Sequence, residues 1–357
     1  MSQRCFMIFE QAIKSKQTKK IYTYHLERFR KWAKIETFEG LLQAPEKDIQ
    51  IMIEDYVIHL KNTNSPNTIP TYFSPIELFY VMNDVNINFK KIRKLFPDKV
   101  KRGNERGYTR EEIQTILNNA RSKRNKALIL LLASSGVRIG AISGMKIKHL
   151  SRIEDSYSIV IYPGDKEEDY IFTTPEATKG IDDYLEKRRK DGEYLNDESP
   201  LFRNAYQFGI QKVVPIQTDS ITHVIGRLVS VIDRKKTGKT NRYDVAKNHG
   251  FRKFYATVIK STQGITSTMS EKLINHVGVV QMDGSYFKPS KEVMFNAYKK
   301  SIPELILNDQ QRILEENKKI EDRKIILEKK EEEILELKSM VKEVLDAFGK
   351  RENYPSQ

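Results

Sequence analysis

The sequence predicts a mainly α protein with a small β-hairpin or sheet, an α+β chain, and three observations carry that prediction. Apolar residues recur at helical spacing through 15–95. One pair of alternating strand-like segments stands at 157–174. A seven-residue apolar repeat then runs from Ile306 to Val341.

Taken in order, Tyr22, Leu26, Phe29 and Trp32 line one helical face, and Ile51, Ile53, Tyr56, Val57 and Leu60 repeat the pattern. NTNSPNT at 62–68 reads as a loop, and IELFYVM at 76–82 as a further helix, so 1–96 is expected to be a small helical module. Pro97 and the following KVKRGNERG have the composition of a basic linker over 97–108. Thr109-Arg110-Glu111-Glu112 is a capping box ahead of Ile113, Ile116 and Leu117, and opens a second domain expected over 109–305. Within it, a helix from about Arg124 to Ser134 stops at Ser135-Gly136, and a short helix starts near Arg138. YSIVIY, a PGDK turn and EDYIFTT form the hairpin, and helices are expected to fill the chain to about 305. The tail, 306–357, reads as one long helix: Ile306, Ile313, Ile320, Leu327, Ile334 and Val341 recur every seven residues. The position four residues beyond each is polar in the first half (Gln310, Asn317, Lys324, Glu331), which argues against a strong two-stranded coiled coil on that pair of positions; this helix could dock on its own body, on a neighbouring subunit, or stand in solvent.

The charge is unevenly placed. Of a net +14 over 357 residues, the segment from Ile306 onward holds 11 Lys/Arg against 13 Asp/Glu, a net −2, which leaves +16 for residues 1–305. A body that basic points to an anionic partner, and nucleic acid is the most economical one. The single cysteine, Cys5, is expected in a frayed N-terminus; it rules out an intrachain disulfide and fits a reducing cytoplasm. ALILLLA at 127–133 is too short to span a membrane and reads as a buried helix, and the N-terminus lacks the pattern of a signal peptide.

Several chemistries lack their residues. There is no H-E-x-x-H and no Cys/His spacing for zinc. Gly238-Lys239-Thr240 imitates the end of a phosphate-binding loop, but Asp233 stands where that loop needs glycine. No cofactor or metal is expected.

What remains is a scattered set: Arg138 in SSGVRIG, Lys166 at the hairpin tip, His249 and Arg252 in HGFR, His276 in INHV, and Tyr286 in the turn-rich DGSYFKP. His249 and Arg252 stand one helical turn apart and so face the same way. In this order and spacing the set resembles the tyrosine recombinases, the phage-integrase family. Ser285-Tyr286-Phe287-Lys288-Pro289 is similar to the ending found in integrases of archaeal viruses and mobile elements. The motifs cover 109–305; the helical module matches only in type, as the DNA-clamping module that precedes such catalytic domains.

The resemblance implies a metal- and ATP-independent enzyme that cleaves double-stranded DNA through a covalent phosphotyrosyl link and acts as a homo-tetramer. It implies that Arg138 and Arg252 neutralise the scissile phosphate and Lys166 protonates the leaving 5′-oxygen. His249 would assist at the nucleophile, His276 would hydrogen-bond the phosphate, and Tyr286 would attack. The chain departs from the family pattern in several places. The acidic residue expected three after the first arginine is Ala141, the glycine before the last histidine is Asn275, and Phe251 replaces a leucine. Tyr286 lies ten residues past His276 where nine is usual, and Tyr298 is a rival nucleophile whose neighbours Met294, Ala297, Ile302 and Leu305 share helical spacing. A type IB topoisomerase-like enzyme and a DNA-binding protein that has lost the chemistry remain as alternatives.

Overall fold

The structure, a computed structural model, describes residues 4–100, 106–205, 213–237, 242–276 and 287–349. Its contacts divide into two units, Met1–Arg102 and Gly103–Gln357.

The first unit is helical: α1 (Arg4–Gln11), α2 (Lys16–Trp32), α3 (Glu46–Thr63), α4 (Ile69–Met82) and α5 (Phe89–Arg93). Phe9, Leu26, Phe29, Tyr56, Val57, Phe73 and Phe79 meet in its core. The N-terminus is not frayed as the sequence reading expects. In α1, Cys5 and Phe9 fall four residues apart on one face, and both are buried, with Phe9 against Phe79. Burial pushes the Cys5 thiol up, and the charge of Glu39 adds to that. The 62–68 loop is brief, because α3 runs to Thr63 and a 3-10 turn at Pro66–Thr68 leads straight into α4.

The second unit opens with α6 (Arg110–Asn119), where the capping box forms reciprocally. Glu112 N–H donates to Thr109 Oγ1 at 3.2 Å, and Thr109 N–H to Glu112 Oε2 at 2.8 Å. α7 (Lys123–Ser135) buries all of Ala127–Ala133 and packs between α9 (Pro175–Lys190) and α11 (His249–Ser261). Gly136 ends α7 at φ +58°, and a Cβ there would come within 2.4 Å of the Tyr255 ring. Only glycine satisfies both the left-handed turn and that close approach. A four-residue α8 (Ile139–Ile142) follows.

The hairpin sits in a three-stranded antiparallel sheet of order β1 (Leu150–Ile153), β2 (Ser156–Ile161), β3 (Asp169–Phe172), with Ile159 opposite both Leu150 and Ile171. β1 goes unread in the sequence because LSRI is too short to show alternation. The expectation of helices through to 305 is corrected as well. Among the described residues, α10 (Thr218–Leu228) follows a long connection, and a two-residue ladder pairs β4 (Lys236–Thr237) with β5 (Arg242–Tyr243). Then come α11, α12 (Ser267–Leu273), α13 (Lys291–Lys299), α14 (Ile302–Leu305) and the tail helix α15 (Asp309–Gly349). Ile306 is not part of the tail helix: it is buried in the body, whereas Ile313, Ile320, Leu327, Ile334 and Val341 are exposed.

Buried charge pins the connection after α9. Glu193 receives Arg188 Nη2 at 2.5 Å and Arg203 Nη1 at 2.9 Å, with all three side chains at most 6% exposed. Burial pushes the Glu193 carboxyl up, but hydrogen bonds from Arg188 and Arg203 outweigh it and hold it below the usual carboxylate range. Its stabilisation is therefore full at neutral pH and fades as pH falls through the lowered folded-state value. Glu193→Ala strands two buried guanidiniums and is expected to cost about 3–5 kcal/mol in denaturant unfolding.

Candidate active site

The site is assembled around the two arginines. The Gly136 turn redirects the chain from α7 so that Arg138 becomes the N-cap residue of α8, exposed, its guanidinium without a hydrogen bond or ion pair among the described residues. Arg252, on the first turn of α11, reaches back to the same turn: its Nη1 donates to the Gly136 carbonyl at 2.7 Å. Its Nη2 donates to the carbonyl of Ile274 and, at 3.4 Å, to that of Asn275, just past α12. One guanidinium thus joins three segments that are far apart in sequence.

Burial lowers the Arg252 pKa, and the neighbouring positive charge of Arg138 lowers it further. Among the described residues, neither arginine is paired with a carboxylate. Ala141, where the family pattern has an acid, is buried in the core and offers no charge. Two adjacent guanidiniums with unused donors form a site that favours a multi-oxygen anion.

Beside them lies a cleft of about 620 Å³ lined by Arg138, Tyr162, Lys166, Lys272, His276 and Lys288, and also by Glu167, Glu168 and Asp169. Arg138, Lys166 and His276 are therefore brought together, and Arg252 joins them through its bond to Asn275, which also lines the cleft. Lys166 stands exposed in the turn between β2 and β3. His276 Nδ1 lies 2.7 Å from Glu271 Oε2, and Glu271 Oε1 also receives Lys260 at 2.7 Å. The hydrogen bond from Lys260 holds the Glu271 carboxyl below its usual range; burial opposes it, and a smaller contribution from His276 adds to that of Lys260. An ionised Glu271 only accepts, so Nδ1 carries the proton and Nε2 is the nitrogen left for a ligand. His249 opens α11 one turn before Arg252 and is exposed.

Tyr286 and Ser285 lie outside the described residues, as does Gly238-Lys239-Thr240. Phe287 and Lys288, the next residues after Tyr286, line the cleft. Tyr298 points into the core from α13: it is fully buried, and its hydroxyl donates to the Ser134 carbonyl at 2.9 Å. Burial raises its phenol well above the ordinary value.

Sequence reasoning misses two cleft residues. Lys272 is paired with Asp169 at 2.9 Å, and a lysine one turn before a histidine carries no distinctive signal. Tyr162 sits at φ +51°, a conformation rarely adopted by a bulky residue; the following proline and glycine mark a turn but not this strain. Asn275 is also left-handed, at φ +48°, which explains how the glycine position before the histidine accepts another residue: asparagine tolerates this region better than most.

A family model described as the phage integrase family matches residues 107–292. No curated protein matches the chain. Among solved structures, the chain resembles the XerH site-specific recombinase bound to palindromic difH in a post-cleavage complex. There the identity is 17%, with 74% of each chain covered and a TM-score of 0.52. It resembles the Tn1549 transposon integrase in complex with transposon right end DNA at 12% identity, covering 82% of this chain and 98% of that one, with a TM-score of 0.52. A lambda integrase dimer bound to a COC′ core site is similar at 13% identity, 80% and 94% coverage, and a TM-score of 0.52. At these identities the likeness is one of fold.

The Asn275 backbone makes a specific stability prediction. Asn275→Gly is expected to leave unfolding free energy nearly unchanged, whereas Asn275→Ala, which keeps a Cβ without the amide, loses about 1 kcal/mol in the same measurement.

Proposed function

The chain belongs to the phage integrase family and is a tyrosine-type site-specific recombinase, and from that premise we propose how its residues divide the reaction. Tyr286 is the nucleophile. Arg138 and Arg252 clamp the scissile phosphate of double-stranded DNA, His249 and His276 manage protons and hydrogen bonds around it, and Lys166 is the acid for the leaving group.

In cleavage, the Tyr286 oxygen forms a bond to phosphorus as the bond from phosphorus to the 5′-oxygen breaks. The tyrosine's proton passes to His249, and the departing 5′-oxygen takes one from Lys166. The product is a 3′-phosphotyrosyl link that retains the energy of the phosphodiester, so a 5′-hydroxyl from the same or another strand can reverse the step without ATP. Negative charge grows on the non-bridging oxygens in the transition state, and forked guanidiniums meet it with donors already in place. With Nδ1–H directed at Glu271, the His276 ring is held so that Nε2 is the nitrogen left to hydrogen-bond at the phosphate.

The observation that carries this reading is a cleft lined by Arg138, Lys166 and His276, with Arg252 bonded to Asn275 in its wall and, among the described residues, no carboxylate paired with either arginine. The basic balance of residues 1–305 supports a DNA substrate. Biologically, the enzyme integrates or excises a viral or mobile element as a homo-tetramer on two duplexes.

A nicked suicide substrate carrying the element's own attachment sequence tests the assignment. Wild type and Tyr298→Phe are expected to form an SDS-resistant DNA adduct, and Tyr286→Phe none; an adduct from Tyr286→Phe would overturn it. Arg138→Ala and Arg252→Ala are each expected to slow single-turnover cleavage by roughly 100–1000-fold.

A further inference from the structure

The tail helix carries an apolar surface that its own chain does not use. Eleven large apolar side chains of α15 are between 48% and 67% exposed, among them Ile313, Ile320, Leu327, Ile334 and Val341 at the seven-residue spacing. Towards the start of the helix, an open cleft of about 830 Å³ is lined by Arg323 and Ile326 on one side and by Val258, Gln263 and Lys300 of the body on the other, and no residue of the stripe lines it. A stripe of this length left in water marks a surface with a partner. The tail has a net charge of −2, which disfavours nucleic acid as that partner and leaves protein.

The second core position of the heptad selects which protein. With Ile320, Leu327 and Ile334 as first positions, the residues three further on are Arg323, Lys330 and Leu337. A parallel second copy in register would stack Arg323 on Arg323 and Lys330 on Lys330, two like-charged layers in the seam. An antiparallel copy centred between Glu328 and Lys329 removes both. Ile320 then meets the partner's Leu337, Leu327 the partner's Lys330, and Ile334 the partner's Arg323. Every layer contains an aliphatic residue, and the lysine and arginine stems cover it while their charged ends reach water. The same register sets Lys324 near the partner's Glu331 along one edge of the seam, an opposite-charge pair that the symmetry repeats.

We propose that α15 pairs with α15 of a second copy as an antiparallel two-stranded coiled coil, which joins two molecules in the absence of DNA. The pairing does not rest on the catalytic assignments and can fail or stand apart from them.

The test uses the full chain without DNA. Sedimentation equilibrium is expected to show a dimer, and the double variant Leu327→Asp/Ile334→Asp to weaken it by roughly 100-fold or more, because it places carboxylates in apolar layers. A wild-type monomer at all concentrations, or a dimer that survives the double variant, overturns the proposal. Orientation is read separately with Ile320→Cys and Leu337→Cys chains, Cys5 being buried in the first unit. Mixed and oxidised, they are expected to form a disulfide with each other and neither with itself; a disulfide in Ile320→Cys alone shows parallel pairing and overturns the antiparallel arrangement. The substituted positions are exposed in the single chain, so circular dichroism of the body serves as the folding control.

Discussion

Arg252 reaches from α11 to the carbonyls of Gly136, Ile274 and Asn275, and the candidate site depends on that reach. A partly buried guanidinium normally sits against a carboxylate, which compensates the loss of water. Here, among the described residues, its partners are main-chain carbonyls, with the charge of Arg138 opposing it. Carbonyl oxygens orient the fork but carry no full negative charge, so the arrangement remains short of an anion. That shortfall has a chemical use. Interactions that strengthen as charge develops on a phosphate contribute to rate, whereas an arginine already neutralised by a fixed acid has less to gain.

The carbonyls are aimed by backbone turned the wrong way for ordinary residues. Gly136 and Asn275 both have positive φ, and both give their carbonyls to Arg252. Tyr162, the third left-handed residue at this site, closes β2 and lines the cleft with Arg138. Burial raises its phenol, with Arg138 opposing that effect. Asn275 and Tyr162, which unlike Gly136 carry a Cβ, each bear a conformational cost of the order of 1 kcal/mol, which the packed surroundings must offset. The packing of α7 against α11 and α9 is what can do so: the buried run Ala127–Ala133 is continuous with the Gly136 turn, and Tyr255 sits where any Cβ on that turn would be.

This division explains what could be read from the sequence. The α6 capping box, the α7 stop at Gly136 and the hairpin are local signals, written within a few adjacent residues, and the structure has all of them. Arg138, Lys166 and His276, which line one cleft, and Arg252, bonded to Asn275 in its wall, could be singled out because a phosphate site would need those residue types in an order that chance seldom supplies. What was not legible depends on distant contacts. β1 exists because β2 is available to pair with it, α1 is helical because Phe9 has Phe79 to pack on, and Lys272 enters the cleft because Asp169 lies across from it. The heptad reading shows the same limit from the other side: Ile306 keeps the spacing but belongs to the core of the body, since periodicity alone cannot say where a helix begins.

Charge and hydrophobicity are partitioned along this chain in a way that one function does not require. A protein that only held DNA would gain from a basic tail, yet the positive excess stops at the end of the body and the tail turns slightly acidic. Its lysines and glutamates are mixed so that their long-range attraction to a phosphate backbone nearly cancels, while an apolar residue persists at every seventh place. Those two properties together suit a surface that must remain off the nucleic acid and be recognised by protein. A recombinase has to bring two duplexes together although each repels the other. A protein–protein contact carried outside the basic body supplies attraction that salt screens little, because its driving force is apolar burial rather than charge. The antiparallel register follows from the same logic, since it is the pairing in which Arg323 and Lys330 need not face their own kind.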